Sequence, residues 1–241
     1  MRIVAHRGAS ATARENSLAA AMAAIAVGAD AVEMDARLSA DGVPHVSHDP
    51  DLSRLAASPA RIAELSAAEI ATFRAPDGEP FVRPLADLVM AVVPHLPAVI
   101  DIKVAGEGML SAIMAAVPGA AIGRLVLGVR NVDDAAAAGR LAPAATVLGL
   151  LPDPDASAAF AAAGGRIMRL WEKDATPARI AAARGAGLDV WVTAGTPRGA
   201  GADLVGAVTA ERLRLLRGLG LDGVLVNDPA AARAALNGAR G

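Results

Sequence analysis

The sequence predicts a (β/α)8 barrel, and two observations carry that prediction. Eight short aliphatic segments alternate with Ala-rich helical segments along the 241 residues. The aliphatic segments are continuously apolar, which is typical of parallel strands that are covered on both faces. Eight strands alternating with helices suit a closed barrel, and a doubly wound open sheet is the alternative. The dinucleotide-binding form of that alternative is disfavoured, because no GxGxxG motif follows the first strand.

The predicted strands share a composition of Val, Ile, Leu and Ala. They cover residues 2–6, 31–36, 98–103, 124–129, 146–151, 166–171, 189–194 and 222–226. The first predicted helix has Asn16 as its N-cap and ends at Gly28. The later predicted helices cover residues 84–93, 107–116, 131–140, 155–163, 176–186, 209–219 and 229–238.

One segment interrupts the alternation of strands and helices. The Asp41-Gly42 pair is a tight-turn signal, so we expect residues 43–47 to form an antiparallel hairpin with the second strand. A parallel link is excluded, because it would need a crossover of a dozen or more residues. Residues 50–83 are rich in proline and contain one predicted short helix near 66–72. We expect this stretch to be a small insertion over the barrel rim.

Composition excludes several classes of protein. The chain has no Cys, which excludes disulfides, thiol nucleophiles, zinc fingers and iron–sulfur clusters. Aromatic residues make up 2% and the formal net charge is −2, so a nucleic-acid partner is not expected. The longest apolar run, residues 18–29, is about half of a membrane span, and no secretory signal is recognisable. We therefore expect one cytoplasmic domain, residues 1–241, without stable membrane insertion, and make no prediction of its oligomeric state.

Three carboxylates lie near the carboxyl ends of predicted barrel strands, where the active sites of such barrels are built. Glu33 and Asp35 are two residues apart and therefore point to the same face of their strand. Asp101 repeats the pattern on the neighbouring strand. Three such carboxylates suit an all-oxygen site for Mg²⁺ or Ca²⁺, and a buried salt-bridge network accounts for them equally well. The basic members of that network would be Arg7, Arg37 and Lys103.

Two histidines have a context that favours chemistry. His6 and His48 each end a predicted strand, and general acid–base catalysis needs a group that titrates near neutral pH. His45 and His95 lack such a context, and we expect them at the surface or rim. The role of Glu15 is open between orienting Arg7 and complementing the dipole of the first helix.

Basic and aromatic residues complete the candidate site. Arg7 could hold an anionic oxygen in a fork. Lys103 is one of two lysines beside 21 arginines, and its compact ammonium suits a phosphate. Because the chain has only two Trp, Trp191 is the main candidate for a wall of the substrate pocket, although either it or Trp171 could equally fill the core.

Short motifs occur along the chain in a fixed order. They read AHRGAS at 5–10, ENSLAA at 15–20, GADAVEMDARLSADGVPHVSHDPDLSR at 28–54, IDIK at 100–103, VW at 190–191 and DGVLVNDP at 222–229. Together they resemble the glycerophosphodiester phosphodiesterase family. The ordered set HRG, EN, ExD, HD and DxK is highly specific, unlike any one of its parts.

The resemblance implies a (β/α)8 barrel of lipid and glycerol metabolism that binds a small phosphodiester. It implies hydrolysis of glycerophosphodiesters to glycerol 3-phosphate and an alcohol, with one divalent cation, Mg²⁺ or Ca²⁺. The implied acid–base pair is His6 and His48, the implied metal ligands are Glu33, Asp35 and Asp101, and the implied phosphate contacts are Arg7 and Lys103. Asp101 stands where the family more commonly has Glu, and the Glu, Asp, Asp set resembles sphingomyelinase D-type relatives that share the barrel.

Two other functions remain as alternatives. A lysophospholipase D or sphingomyelinase D-like activity on lipids would need an apolar mouth near residues 50–83 and 195–208. The only large aromatic residues of the insertion are Phe73 and Phe81. A non-catalytic barrel that binds phosphorylated ligands would lack a catalytic group, whereas both histidines and all three carboxylates are present.

Overall fold

Eight parallel strands close into a barrel in the computed structural model of the chain, which describes residues 1–197 and 204–237. The strands are β1 (Arg2–Ala5), β2 (Ala31–Leu38), β3 (Pro44–Val46), β4 (Ala98–Ile102), β5 (Leu125–Val129), β6 (Thr146–Gly149), β7 (Ile167–Trp171), β8 (Asp189–Thr193) and β9 (Gly223–Val226). All except β3 are parallel barrel strands. Because β1 pairs with both β2 and β9, the sheet is closed and the open-sheet alternative is excluded. The prediction of a (β/α)8 barrel is confirmed.

Helices follow the barrel strands and cover their outer faces, except for the two short ones within residues 50–83. They are α1 (Leu18–Ala26), α2 (Ser53–Ala56), α3 (Ala67–Ile70), α4 (Leu85–Val92), α5 (Glu107–Ala116), α6 (Val132–Leu141), α7 (Ser157–Ala162), α8 (Pro177–Gly185), α9 (Ala210–Gly218) and α10 (Pro229–Asn237). Within residues 1–197 and 204–237, no helix combines the length and the apolar character needed to cross a membrane.

Side chains alternate between an outer and an inner layer along each barrel strand. In β2, for example, Val32 and Met34 belong to the large core between sheet and helices, while Ala31 belongs to a second core inside the barrel. The inner core contains Val4, Ala31, Val99, Val126, Leu148, Leu150, Ile167, Trp191 and Leu225. Polar residues come two positions later on several of the same strands. An apolar floor therefore lies beneath a polar layer at the carboxyl end of the barrel.

The predicted hairpin is present at the rim. Strand β3 runs antiparallel to β2, with Ala36 opposite Val46 and Leu38 opposite Pro44. Gly42 has a φ of +79° in the connecting turn, a conformation that glycine adopts without strain. His45 is buried rather than at the surface, because β3 is covered by α4.

Residues 50–83 form the insertion and have a small apolar core of their own. It contains Leu52, Ile62, Ile70 and Val82, with Phe73 and Phe81 packed against it. The structure has two short α-helices here, α2 and α3, and a 3-10 helix at Ile62–Glu64 between them, where the sequence predicts one helix. The side chain of Ser66 accepts a hydrogen bond from the N–H of Glu69 in a capping box, which explains why α3 forms at the predicted place.

Candidate active site

A cavity of about 190 Å³ lies at the carboxyl end of the barrel, above the apolar floor. Six of the residues predicted from the sequence line it: His6, Arg7, Glu33, His48, Asp101 and Lys103. Asp35 is fully buried beside them and contacts two of their side chains. The strand ends therefore bring seven of the eight predicted site residues together.

The three predicted metal ligands form one acidic cluster. One oxygen from each of Glu33, Asp35 and Asp101 lies within 4.8 Å of the other two, and within the described ranges this is the group found with metal-ligand geometry. Oε2 of Glu33 accepts a hydrogen bond of 2.7 Å from the backbone N–H of Arg7. Burial, and then the charges of Asp35 and Asp101, raise the pKa of Glu33 well above its usual range.

Basic side chains contact the other two carboxylates. Nζ of Lys103 lies 2.7 Å from Oδ1 of Asp35 and also contacts Asp101. Nη2 of Arg130 donates a 2.5 Å hydrogen bond to Oδ1 of Asp101. Burial alone would raise the pKa of Asp35, but Lys103 and Arg7 lower it below its usual range. Arg37, a member of the predicted salt-bridge network, instead donates to the backbone carbonyl of His48.

The donor set fits a divalent cation. All three side chains offer carboxylate oxygens, the ligands that Mg²⁺ and Ca²⁺ prefer. Glu33 is 3% exposed, and no side-chain cation pairs with its carboxylate among the residues described. A bound cation would offset the burial and the carboxylate repulsion that together raise the pKa of this group. The three carboxylates therefore suit a divalent cation, and Lys103 contacts two of them in its place.

The loop after β1 holds Arg7 in an uncommon backbone conformation. Arg7 has a φ of +57° and Gly8 a φ of +81°, and a Cβ on Gly8 would lie 2.6 Å from the backbone carbon of Ala20. The left-handed region costs a non-glycine residue roughly 1–2 kcal/mol, so Arg7 needs fixed partners. Its Nε lies 3.1 Å from Oδ2 of Asp35, and its Nη1 donates to both oxygens of Glu15. Glu15 therefore orients Arg7.

Asn16 contacts the acidic cluster and is not the helix cap that the sequence predicts. The N-cap of α1 is Ser17, whose Oγ accepts a hydrogen bond of 3.0 Å from the N–H of Ala20. Asn16 has a φ of +58°, and its Nδ2 donates a 2.8 Å hydrogen bond to Oδ2 of Asp35. The N–H of Asp35 donates back to Oδ1 of Asn16. One of these hydrogen bonds orients the carboxylate of Asp35 and the other holds its backbone, and the EN pair was the only sequence signal for this role.

His6 has a defined tautomer. Its Nδ1 lies 2.7 Å from Oδ1 of Asn227, whose Nδ2 donates to the carbonyl of Val205. Because the amide nitrogen is engaged elsewhere, Oδ1 is the acceptor and Nδ1 of His6 carries the proton. Nε2 of the neutral ring therefore has the free lone pair. Burial, and then Arg7, lower the pKa of His6 to about 4, so the ring is neutral at pH 7.

His48 is oriented by a carboxylate. Its Nδ1 donates a 2.8 Å hydrogen bond to Oδ1 of Asp49, and the other Asp49 oxygen accepts from Nε of Arg54 at 2.5 Å. Nη2 of Arg54 also donates to Glu15. Burial lowers the pKa of His48, whereas Asp35 and Asp49 oppose that shift. The Arg54 side chain thus links the insertion to Asp49, the partner of His48, and to Glu15, the partner of Arg7.

The two tryptophans exchange the positions that the sequence suggests. Trp171 lines the cavity, whereas Trp191 is 1% exposed and belongs to the inner core beneath it. Trp191 fits there because its register partner is Gly223, where a Cβ would lie 2.8 Å from the indole. Trp191 therefore does not form the predicted wall of the substrate pocket but packs in the floor of the cavity.

Two arginines of the cavity carry no signal in the motifs. Arg130 follows β5 and pairs with Asp101, and Arg169 points inward from β7 and stacks on Trp171 with 4.4 Å between its Cζ and the ring centre. The alternation of side chains along the strands predicts that both arginines point inward. It does not predict their partners, because pairing depends on how the strands pack together. The predicted apolar mouth at residues 195–208 includes 198–203, which lie outside the described residues.

Comparisons with solved structures agree with the barrel. The glycerophosphodiester phosphodiesterase of Agrobacterium tumefaciens str. C58 is 23% identical, with a TM-score of 0.76 over 97% of this chain and 99% of that one. The phosphodiesterase OLEI02445 of Oleispira antarctica, solved in complex with the product sn-glycerol-3-phosphate, is 20% identical, with a TM-score of 0.79 over 98% and 97% of the two chains. At these identities the comparison shows the shared fold.

Curated relatives match over shorter segments. The lysophospholipase D GDPD1 of Rattus norvegicus is 31% identical over 114 residues, which are 43% of this chain and 36% of that protein. The glycerophosphodiester phosphodiesterase 1 of Bos taurus is 40% identical over 67 residues, 28% of this chain and 20% of that protein. The matches thus span about a third or less of these relatives.

The matching region contains nearly the whole polar layer of the cavity. The profile of the glycerophosphoryl diester phosphodiesterase family matches residues 6–138, which is more than half of the chain. That range begins at His6 and includes the acidic cluster, His48 and Lys103. By this match, the chain belongs to the glycerophosphoryl diester phosphodiesterase family.

Proposed function

We propose that the protein hydrolyses glycerophosphodiesters to glycerol 3-phosphate and an alcohol, with the help of one divalent cation. The observation that carries the proposal is the joint lining of one cavity by two histidines, His6 and His48, and by carboxylates of the acidic cluster. Family membership supports the reaction type. The complex of the Oleispira antarctica relative with sn-glycerol-3-phosphate supports the product class.

Arg7 and Lys103 bind the phosphate in this proposal. Both cations lie at the edge of the acidic cluster and line the cavity, so they can stabilise the phosphate oxygens as charge develops on them. A Mg²⁺ or Ca²⁺ ion held by Glu33, Asp35 and Asp101 would supply Lewis-acid polarisation of the phosphodiester. The backbone N–H of Arg7 and the amide of Asn16 keep two of these carboxylates oriented.

His6 acts as the first general base. Its neutral ring has the lone pair on Nε2, which accepts the proton of the glycerol hydroxyl next to the phosphodiester. The hydroxyl oxygen forms a bond to phosphorus while the bond from phosphorus to the alcohol oxygen breaks, which leaves a cyclic phosphate. Water then opens the cyclic phosphate to glycerol 3-phosphate.

His48 supplies the proton to the departing alcohol oxygen. Its hydrogen bond to Asp49 stabilises the protonated imidazole, as a carboxylate does for a catalytic histidine. The side chain is 24% exposed and can exchange protons with solvent. In the second step His48 takes the proton from the attacking water, and His6 returns its proton to the hydroxyl.

The deciding experiment is an assay of glycerophosphocholine hydrolysis by the purified protein, before and after removal of metals with EDTA. We expect glycerol 3-phosphate to form, the rate to disappear after EDTA, and Mg²⁺ or Ca²⁺ to restore it. His6→Ala and His48→Ala should each lower kcat by roughly 10²–10⁴. His95→Ala, at an exposed position, is the matched control. Full activity without metal would remove the metal role, and wild-type turnover by His48→Ala would remove its acid–base role.

A lysophospholipase D activity is the second candidate. An apolar groove of about 410 Å³ lies between α9 and α10 and reaches Asn227, the partner of His6. The rat relative is itself named a lysophospholipase D. Phe73 and Phe81, by contrast, pack within the insertion. Comparing kcat/KM for lysophosphatidylcholine and glycerophosphocholine separates the two, since a higher value for the lipid supports the second candidate. Ligand binding without any turnover would instead support a non-catalytic barrel.

A further inference from the structure

Arg169 is a cation of the cavity that the function proposed above does not use. The side chain of Arg169 is 7% exposed, and its Nε and Nη1 are buried without a hydrogen-bond partner. Across residues 1–197 and 204–237, its guanidinium makes neither a hydrogen bond nor an ion pair. An unpaired buried charge is costly to a fold. A ligand that pairs with it would account for its presence.

The position of Arg169 sets it apart from the phosphate-binding cations. Counting around the closed barrel, β7 is four strands from β2 in either direction, so the two strands face each other. Arg7 and Lys103 belong to the half of the barrel that carries the acidic cluster, and both pair with Asp35 there. Arg169 approaches the cavity from the opposite wall. Arg169 is therefore placed to meet the far end of a ligand whose phosphate binds at the cluster.

The ring of Trp171 is covered by this arginine. The guanidinium carbon lies 4.4 Å from the ring centre and covers one face of the ring, the kind of surface that a quaternary ammonium such as choline would need. Burial lowers the pKa of Arg169 to about 10, so the group stays positive at neutral pH. Arg130 adds positive charge beside it, although that residue is paired with Asp101. The wall therefore favours an anion over a cation.

We propose that Arg169, stacked on Trp171, binds an anionic group on the alcohol part of the substrate. The preferred substrates are then glycerophosphodiesters whose alcohol carries a carboxylate or a phosphate. This inference rests on the proposed phosphodiesterase function. The planar guanidinium can donate from Nη2, together with Nε or Nη1, to the two oxygens of one carboxylate, which makes the pairing both strong and directional.

The test compares two substrates that differ by one carboxylate, glycerophosphoserine and glycerophosphoethanolamine. We expect the metal-loaded wild-type protein to prefer the serine ester in kcat/KM by on the order of ten- to a hundredfold, the value of one charge-assisted pair. In Arg169→Gln that ratio should fall to near one. Arg140→Gln is the matched control, since this exposed arginine pairs with Glu107 at the surface and should keep the wild-type ratio.

Several outcomes overturn the inference. A wild-type ratio near one, or a preference for the ethanolamine ester, removes it without involving any variant. An equal loss on both substrates in Arg169→Gln means that Arg169 binds the reacting phosphate. If the wild-type protein turns over neither ester nor any other glycerophosphodiester, the proposed function fails first and the inference falls with it. Thermal unfolding of Arg169→Gln controls for folding, and its midpoint should equal or exceed that of the wild type, because the variant lacks an unpaired buried charge.

Discussion

Nδ1 of His6 and Oδ1 of Asn227 are joined by a hydrogen bond of 2.7 Å, although the two residues are 221 positions apart in the chain. The bond links the end of β1 to the residue after β9, where the barrel closes. It fixes the proton on Nδ1 and leaves Nε2 as the base. The proposed catalytic histidine therefore depends on the closure of the barrel.

Asn227→Asp should shift the acid limb of the pH–rate profile upward. A carboxylate beside His6 favours the protonated ring and raises its pKa, so the neutral base is lost at a higher pH than in the wild type. The measurement is kcat/KM against pH from 4 to 9. Asn227→Ala should leave the ring without its acceptor and lower kcat by roughly 10²-fold or more. An unchanged acid limb in Asn227→Asp would mean that another group governs it.

Gly206→Ala should damage both stability and activity. Gly206 has a φ of +78°, and a Cβ there would lie 2.1 Å from Oδ1 of Asn227 and 3.0 Å from Nδ1 of His6. Gly42→Ala is the matched control, because Gly42 has a φ of +79° with nothing within 4 Å. The control should cost about 1 kcal/mol from backbone strain and keep full activity. Chemical denaturation and initial rates measure both effects, and equal behaviour of the two variants would contradict the role of the His6–Asn227 pair.

Divalent cations should stabilise the protein through the acidic cluster. A cation that binds only the folded chain raises the melting temperature as its concentration exceeds its dissociation constant. We expect Mg²⁺ or Ca²⁺ to raise the Tm of the wild-type protein and to have little effect on Glu33→Gln. Glu107→Gln, at an exposed ion pair, should respond like the wild type. Differential scanning calorimetry with each ion also shows which of the two is preferred, and equal shifts in wild type and Glu33→Gln would exclude the cluster as the site.

The buried His6 should make folding stability depend on pH. Its pKa is about 4 in the folded chain against 6.5 ordinarily, so between these values the unfolded chain binds a proton that the folded chain does not. The free energy of unfolding should therefore fall as the pH drops from 6.5 to 4, by up to about 3 kcal/mol from this group. Urea titrations of the wild type and His6→Gln at several pH values isolate the effect. As the pH drops toward 4, the free energy of unfolding of the wild type should fall relative to that of His6→Gln. A difference between the two proteins that is constant with pH would contradict this prediction.

The sequence determined on which face of the barrel strands the site residues lie. Glu33 and Asp35 are two residues apart, as are Asp101 and Lys103, so each pair had to share the inner face once the segments formed strands. The turn at Asp41-Gly42 likewise predicted the antiparallel hairpin. These conclusions hold because side-chain alternation and turn chemistry are local properties of the chain.

Tertiary structure decided the depth of each side chain and its partner. Trp171 and Trp191 both face inward, but the register of β7 against β8 sets Trp171 opposite Thr193, two residues beyond Trp191, so that Trp191 lies in the floor and Trp171 at the cavity. The partners of Asn16 and Asn227 likewise come from other strands. Local patterns carry no information about strand register or closure, because these depend on the packing of the whole barrel. For this reason the sequence revealed which chemistry the cavity contains, and only the fold showed that Arg169 faces that chemistry with no hydrogen-bond or ion-pair partner among the described residues.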